Sequence, residues 1–143
     1  MKHFLTARVA ANGIFIILSL IVLFHVLIIT GVIPFASVWG GRLKNHHQML
    51  TFETVSIGLN LLMLAVVAVA SGRLRVRVSR QLITGTLWLM TALFFLNTLG
   101  NVFAKTDLER LLFTPLTLLL ALCCCRLALQ REPPAATAPG ASA

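Results

Sequence analysis

Apolar residues dominate four stretches of this chain that contain no Asp, Glu, Lys or Arg. The stretches cover residues 9–41, 54–72, 81–104 and 111–125. A transmembrane helix needs about 20 mainly apolar residues, and the fourth stretch reaches that length only if Arg110 and Arg126 extend toward the membrane interfaces. The predicted helices cover about residues 9–33, 54–70, 82–102 and 108–129. The short connections between them favour an all-α membrane protein with an antiparallel bundle of four transmembrane helices.

Pro115 interrupts the fourth predicted helix, because proline removes one backbone hydrogen bond and clashes with the preceding turn. Two interpretations follow. In the one we favour, the helix is continuous and kinked near Thr114 and Pro115. In the other, Thr114 caps a new helix and residues 107–113 lie along the membrane surface.

The predicted helices take up most of the 143 residues, so we expect residues 1–130 to form one transmembrane domain. Residues 131–143 are rich in Pro, Ala and Gly and are predicted to be a disordered cytoplasmic tail. The first apolar stretch is longer than the roughly 7–15 residues of a signal-peptide core and is not followed by a clear cleavage pattern. We therefore expect the first helix to be retained.

Composition agrees with a membrane location, since 58% of the residues are hydrophobic and only 11% are charged, against about 45–50% and about 25% in soluble domains. Eight of the 12 Lys and Arg residues lie on one side of the predicted bundle, namely Lys2, Arg8, Arg73, Arg75, Arg77, Arg80, Arg126 and Arg131. The positive-inside rule places that side, with both termini, in the cytoplasm.

The net charge of +8 comes from basic residues that flank apolar stretches instead of forming one stripe, which argues against nucleic-acid binding. The expected partner is the lipid bilayer. A homo-oligomer or a membrane protein partner is also compatible with the sequence.

Polar side chains within the apolar stretches are the candidate functional residues, because hydrocarbon cannot satisfy their hydrogen bonds. At 1.5 Å per residue, four of them lie roughly 10–14 Å from the outer ends of their predicted helices. These four are His25, Asn60, Asn97 and Thr114. The full predicted binding cluster opens outward and comprises His25, Arg42, Glu53, Asn60, Asn97, Asn101, Lys105 and Thr114.

Glu53 needs a compensating partner because a buried carboxylate is strongly unfavourable, and we expect Arg42, Lys105 or His25 to supply it. Three functions are compatible with such a cluster. We favour binding or transport of a small solute or proton. The alternatives are a structural or accessory membrane subunit, in which polar side chains hold helices or a partner together, and an intramembrane enzyme, although we assign no catalytic residue.

The first loop offers two further features. Gly40 and Gly41 permit a tight turn beside Trp39, a residue suited to the headgroup interface. His46, His47 and Met49, together with Glu53, are residue types that can bind copper or zinc. No second ligand cluster with recognised spacing exists, so we expect no metal and no cofactor. The run Cys123-Cys124-Cys125 is expected to behave as small buried apolar residues.

A set of motifs, taken in their order along the chain, resembles a known protein family. It consists of Trp39-Gly40-Gly41-Arg42-Leu43, Glu53, Asn97-Thr98-Leu99-Gly100-Asn101, Ala104-Lys105-Thr106 and Thr114-Pro115-Leu116-Thr117. In these motifs the chain resembles a family of small bacterial four-helix membrane proteins with no assigned activity. The resemblance implies a multi-pass protein of the bacterial inner membrane and implies no mechanism.

Overall fold

A computed structural model describes residues 5–131, and within that range the fold is helical and contains no strand. Its four main helices, α1 to α4, cover Ala7–Ile29, His46–Ala70, Arg80–Val102 and Thr114–Arg131. Each is long and apolar enough to cross a membrane when α4 is taken together with the turn that precedes it. The predicted all-α fold with four membrane-spanning helices is therefore confirmed. Lys2 and residues 132–143 of the predicted tail lie outside the described residues.

Side-chain caps begin three of the helices. The side-chain oxygens of Thr6, Asn45 and Ser79 each accept a hydrogen bond from the backbone N–H three residues later, at 3.2, 2.8 and 3.2 Å. These bonds satisfy amides that have no partner within the helix. Gly31 and Gly72 follow α1 and α2 with φ of 78° and 75°, a left-handed conformation that ends helices and favours glycine.

The second helix begins at His46, well before the predicted start at residue 54. The sequence interpretation took Glu53 as the end of the apolar stretch, whereas Asn45 caps a helix in which Glu53 is fully buried. His46 and His47 therefore lie in the first turn of α2 instead of a loop. The first helix ends at Ile29 instead of residue 33, because Gly31 turns the chain.

A five-residue π-helix, Glu109–Phe113, leads directly into α4. Thr114 keeps a right-handed helical backbone, with φ −57° and ψ −55°, so the helical path continues through Pro115. Continuity of the fourth helix is confirmed, and the alternative of a new helix capped by Thr114 is wrong. A wider π-turn accommodates the proline ring and its missing N–H group.

The helices pack unevenly around the bundle. α3 packs most extensively on α4, α1 packs on α2 and on α4, and α2 touches α3 only sparsely. The main core lies where α1, α3 and α4 meet, and Cys123 and Cys124 are buried in it as free thiols. Large apolar side chains cover the outer faces of the helices, as expected for a protein that lipid solvates. The sparse α2–α3 contact leaves space beside polar residues.

Candidate functional site

The two ends of the bundle differ in the charged residues that they contain. The loop that joins α1 to α2, residues 30–45, meets the turn between α3 and α4, residues 103–108, at what we call the loop end. The opposite end, the basic end, contains the N-terminus of α1 and the loop between α2 and α3. The acidic residues within the described chain, Glu53, Asp107 and Glu109, all belong to the loop end.

Glu53 is the most deeply buried polar residue near the loop end, with 0% exposure. Its Oε2 atom lies 2.5 Å from Nδ1 of His25 on α1, and its Oε1 atom accepts a hydrogen bond of 2.7 Å from Nε1 of Trp39. Leaving such a buried polar group without its partner costs about 1–3 kcal/mol. The His25–Glu53 contact joins α1 to α2.

Trp39 reaches Glu53 because the chain makes a left-handed turn. Trp39, Gly40 and Gly41 have φ of 55°, 64° and 69°, and a left-handed backbone costs about 1–2 kcal/mol at a residue with a side chain. The hydrogen bond to Glu53 and an edge-to-face contact with Phe52, with ring centroids 5.1 Å apart, stabilise Trp39 there.

The same turn binds a second carboxylate. The N–H group of Gly40 donates to both carboxylate oxygens of Glu109 at 3.0 Å, and Oγ1 of Thr106 donates to Glu109 at 2.7 Å. These partners are uncharged. The side chain of Glu109 is half-buried and brings negative charge to the junction of the first loop and the π-turn.

A cavity of about 510 Å³ lies beside these carboxylates, and we call it the inner cavity. All four helices line it, and its size falls within the roughly 300–1,000 Å³ typical of ligand sites. Its apolar wall includes Phe24 and Phe113, whose ring centroids are 5.0 Å apart. Its polar lining consists of His25, Trp39, Ser56, Asn60, Asn97, Asn101, Glu109 and Thr117.

A second cavity, the vestibule, has a volume of about 540 Å³ and lies at the loop end. Exposed residues such as Arg42 and Gly100 line it. Trp39, Asn101 and Glu109 line both the vestibule and the inner cavity. These three side chains therefore form the boundary between the inner cavity and the surface of the loop end.

The polar residues of the helices divide into two groups. Thr117 on α4 joins α3, because its hydroxyl accepts from Thr98 at 2.9 Å and from Asn101 at 3.4 Å. Asn60, in contrast, donates within the described chain only to a carbonyl of its own helix, that of Ser56, at 2.7 Å. The side-chain amide of Asn97 makes no hydrogen bond within residues 5–131. Thus some of these polar residues hold helices together, and others line a cavity.

The structure brings only some of the site residues predicted from the sequence to the inner cavity. His25, Asn60, Asn97 and Asn101 line the inner cavity, and Glu53 lies behind its lining residues His25 and Trp39. Of the three expected partners of Glu53, the structure selects His25.

Arg42 and Lys105 do not pair with Glu53 in the described chain, and both are exposed. The left-handed turn directs Trp39 inward, and Arg42 follows that turn at the rim of the vestibule. Thr114 does not line the inner cavity, and its buried hydroxyl has no partner among residues 5–131. Thr117, one turn later, lines the cavity instead.

Sequence reasoning missed Glu109 and Thr117, and it assigned Trp39 only to the headgroup interface. A signal for Glu109 was present, because Thr106 and Glu109 have the spacing of a capping box. The N–H of Glu109 donates to Oγ1 of Thr106 at 3.4 Å, as that motif requires. The reach of Trp39 depends on three consecutive left-handed residues, which the sequence alone does not specify.

No group of three His, Cys, Asp or Glu side chains within residues 5–131 is placed to hold a metal ion. Met49, beside the adjacent histidines, is buried in a small apolar cluster with Ile28, Val38 and Leu43. Comparisons of the chain with models of protein families, with curated proteins and with solved structures found no match. A functional assignment therefore depends on the geometry of the site.

Proposed function

We propose that this multi-pass membrane protein binds a small, partly apolar solute in the inner cavity, with the vestibule as the route of entry. The observation that carries the proposal is the position of Asn60 and Asn97. Both amides line the cavity, and neither bonds to another helix among residues 5–131. Amides within membrane-spanning helices that bond to no other helix are poorly explained as packing contacts, so they are better explained as contacts for water and a bound solute.

The lining favours a solute with a cationic or hydrogen-bond-donating group. Glu109 contributes a carboxylate whose described partners are uncharged. Aromatic rings at Phe24 and Phe113 suit an apolar or cationic body. Transport follows if binding opens the boundary at Trp39, Asn101 and Glu109.

The orientation is also part of the proposal. The excess of Lys and Arg at the basic end supports a cytoplasmic position for that end and for both termini. The vestibule would then face the outside. The motif resemblance supports a bacterial inner membrane.

Tetraphenylphosphonium and tetraphenylborate, which have the same shape and opposite charge, test the binding proposal. Equilibrium dialysis of the detergent-purified full chain, carried out with each ion separately, should show saturable binding of the phosphonium. Asn60→Leu and Asn97→Leu should each weaken it about tenfold, or roughly 1.4 kcal/mol, because leucine removes an amide dipole that can attract the cation. Asn12→Leu, the same exchange at the basic end, should leave it unchanged. Equal phosphonium binding by all variants, or borate binding that depends on Asn97, would contradict the proposal.

A second candidate function is an accessory membrane subunit. It is favoured by the exposure of Asn97 on α3 next to the sparse α2–α3 contact, where a partner helix could satisfy the amide. A stable complex that dissociates in Asn97→Leu, together with no binding of the phosphonium probe, would support this function over solute binding. No observation favours the third alternative, an intramembrane enzyme.

A further inference from the structure

A third cavity, of about 850 Å³, lies at the basic end, and we call it the basic cavity. We propose that it binds the phosphate headgroup of an anionic phospholipid. This proposal does not depend on the function proposed for the inner cavity. The polar lining consists of Arg8, Asn12, Ser71, Arg73, Arg80 and Gln130, which come from both ends of the chain and from the α2–α3 loop.

Arg8 and Arg73 bring positive charge to the basic cavity, and neither pairs with an acidic residue among residues 5–131. Three arginines line it, and no acidic residue among residues 5–131 does. The carboxylates of residues 5–131 belong to the loop end, where Asp107 pairs with Arg110 and Glu53 pairs with His25. Several guanidinium groups around one cavity repel one another, and a phosphate group would replace that repulsion with charge-assisted hydrogen bonds.

Arg73 is positioned before any ligand binds. One of its terminal nitrogens donates to Oδ1 of Asn12, and its guanidinium lies 4.3 Å from the centre of the Phe15 ring. A guanidinium has five N–H donors in a planar fork, so donors remain for a ligand in the cavity. A fixed arginine loses less conformational entropy on binding than a mobile one.

The position of the basic cavity selects a lipid over a soluble phosphate. Its walls are the first turns of α1 and α3 and the last turns of α2 and α4. At the ends of membrane-spanning helices, basic side chains meet the phosphates of anionic lipids. Leu74 and Leu82, close by in the chain, are 46% and 61% exposed and can contact the upper acyl chains.

The test measures retention of phosphatidylglycerol by the purified full-length protein with native mass spectrometry, with phosphatidylcholine as the uncharged comparison. The chain offers a matched control, because Arg75 and Arg77 lie in the same loop, are exposed and do not line the basic cavity. Arg8→Gln with Arg73→Gln should lower phosphatidylglycerol affinity at least about tenfold, at roughly 1 kcal/mol for each basic residue near lipid. Arg75→Gln with Arg77→Gln should change it less than about twofold, because these residues do not line the cavity.

An equal loss in both double variants would overturn the proposal, since it would show diffuse attraction instead of a site. Displacement of the lipid by inorganic phosphate alone would also overturn it, in favour of a soluble anion. Arg73 has structural contacts, so the single variant Arg8→Gln provides a second measurement if the double variant unfolds. Arg8→Gln should lower the affinity about fivefold, and an unchanged affinity would contradict the proposed site.

Discussion

Replacing Glu53 with leucine removes the carboxylate that both His25 and Trp39 contact. Because Glu53 has 0% exposure, water does not replace it as an acceptor. Leaving a buried polar group without its hydrogen-bond partner costs about 1–3 kcal/mol, and this change affects two such groups, those of His25 and Trp39. Ordinary polar contacts between membrane helices average about 0.6 kcal/mol. We therefore expect Glu53→Leu to lower the free energy of unfolding by about 2–6 kcal/mol.

Glu53→Gln should behave differently because it keeps the shape and one acceptor. Its carbonyl can still accept from Trp39, and its amide can donate to the neutral imidazole of His25. The loss is then the charge-assisted part of two hydrogen bonds, about 1–2 kcal/mol. Asp107→Leu is the control, because it removes a carboxylate from an ion pair whose aspartate side chain is 78% exposed.

The assay is reversible unfolding in mixed micelles, followed by circular dichroism. Asp107→Leu should change the free energy of unfolding by less than about 1 kcal/mol, as is usual for exposed pairs. A double variant with His25→Leu and Glu53→Leu should be less destabilised than the sum of the single variants, with a coupling of about 1–3 kcal/mol. Equal effects of the leucine and glutamine variants of Glu53 would refute this account of the pair.

Three further changes probe the surroundings of the site. Thr117→Val should lower the free energy of unfolding by about 1 kcal/mol in the same assay, because it breaks the α3–α4 bond to Thr98; no change would mean that the bond is not stabilising. Gly40→Ala should lower it by about 1–2 kcal/mol, since φ is 64° there and left-handed backbone is unfavourable for alanine; an unchanged value would argue against the turn. Pro115→Ala should preserve stability but weaken phosphonium binding. Without the proline the π-turn can become α-helical, which would move Glu109. Unchanged binding would contradict this role of Pro115.

Much of the fold follows from the sequence, because apolar length alone specifies membrane-spanning helices. The misplaced start of α2 shows the limit of that reasoning. A charged residue usually marks the end of an apolar stretch, but Glu53 lies inside the helix because His25 and Trp39 compensate it. The polar cap at Asn45 was the better boundary signal.

Part of the candidate site could also be predicted from the sequence, because it depends on spacing within one helix. Helical spacing brings Asn97 and Asn101 to one face of α3, and the structure places both at the inner cavity. The approach of the first loop to the π-turn joins residues far apart in the chain, as in the contact of Gly40 with Glu109. Sequence spacing within one helix contains no information on such a contact.

Chemical accessibility at position 97 tests the central claim most directly, namely that α2 and α3 enclose a solute cavity reached from the loop end. The measurement is the rate at which a membrane-impermeant cationic methanethiosulfonate reagent modifies Asn97→Cys in liposomes, with the parent chain as the blank for its native thiols. Phe95→Cys is the comparison, since Phe95 is exposed but does not line the inner cavity.

Thiols react as thiolates, which form where water reaches them, so we expect Asn97→Cys to react at least about ten times faster than Phe95→Cys. Tetraphenylphosphonium should protect it. Equally slow modification at both positions would contradict the cavity and favour polar residues that serve only to hold the bundle together.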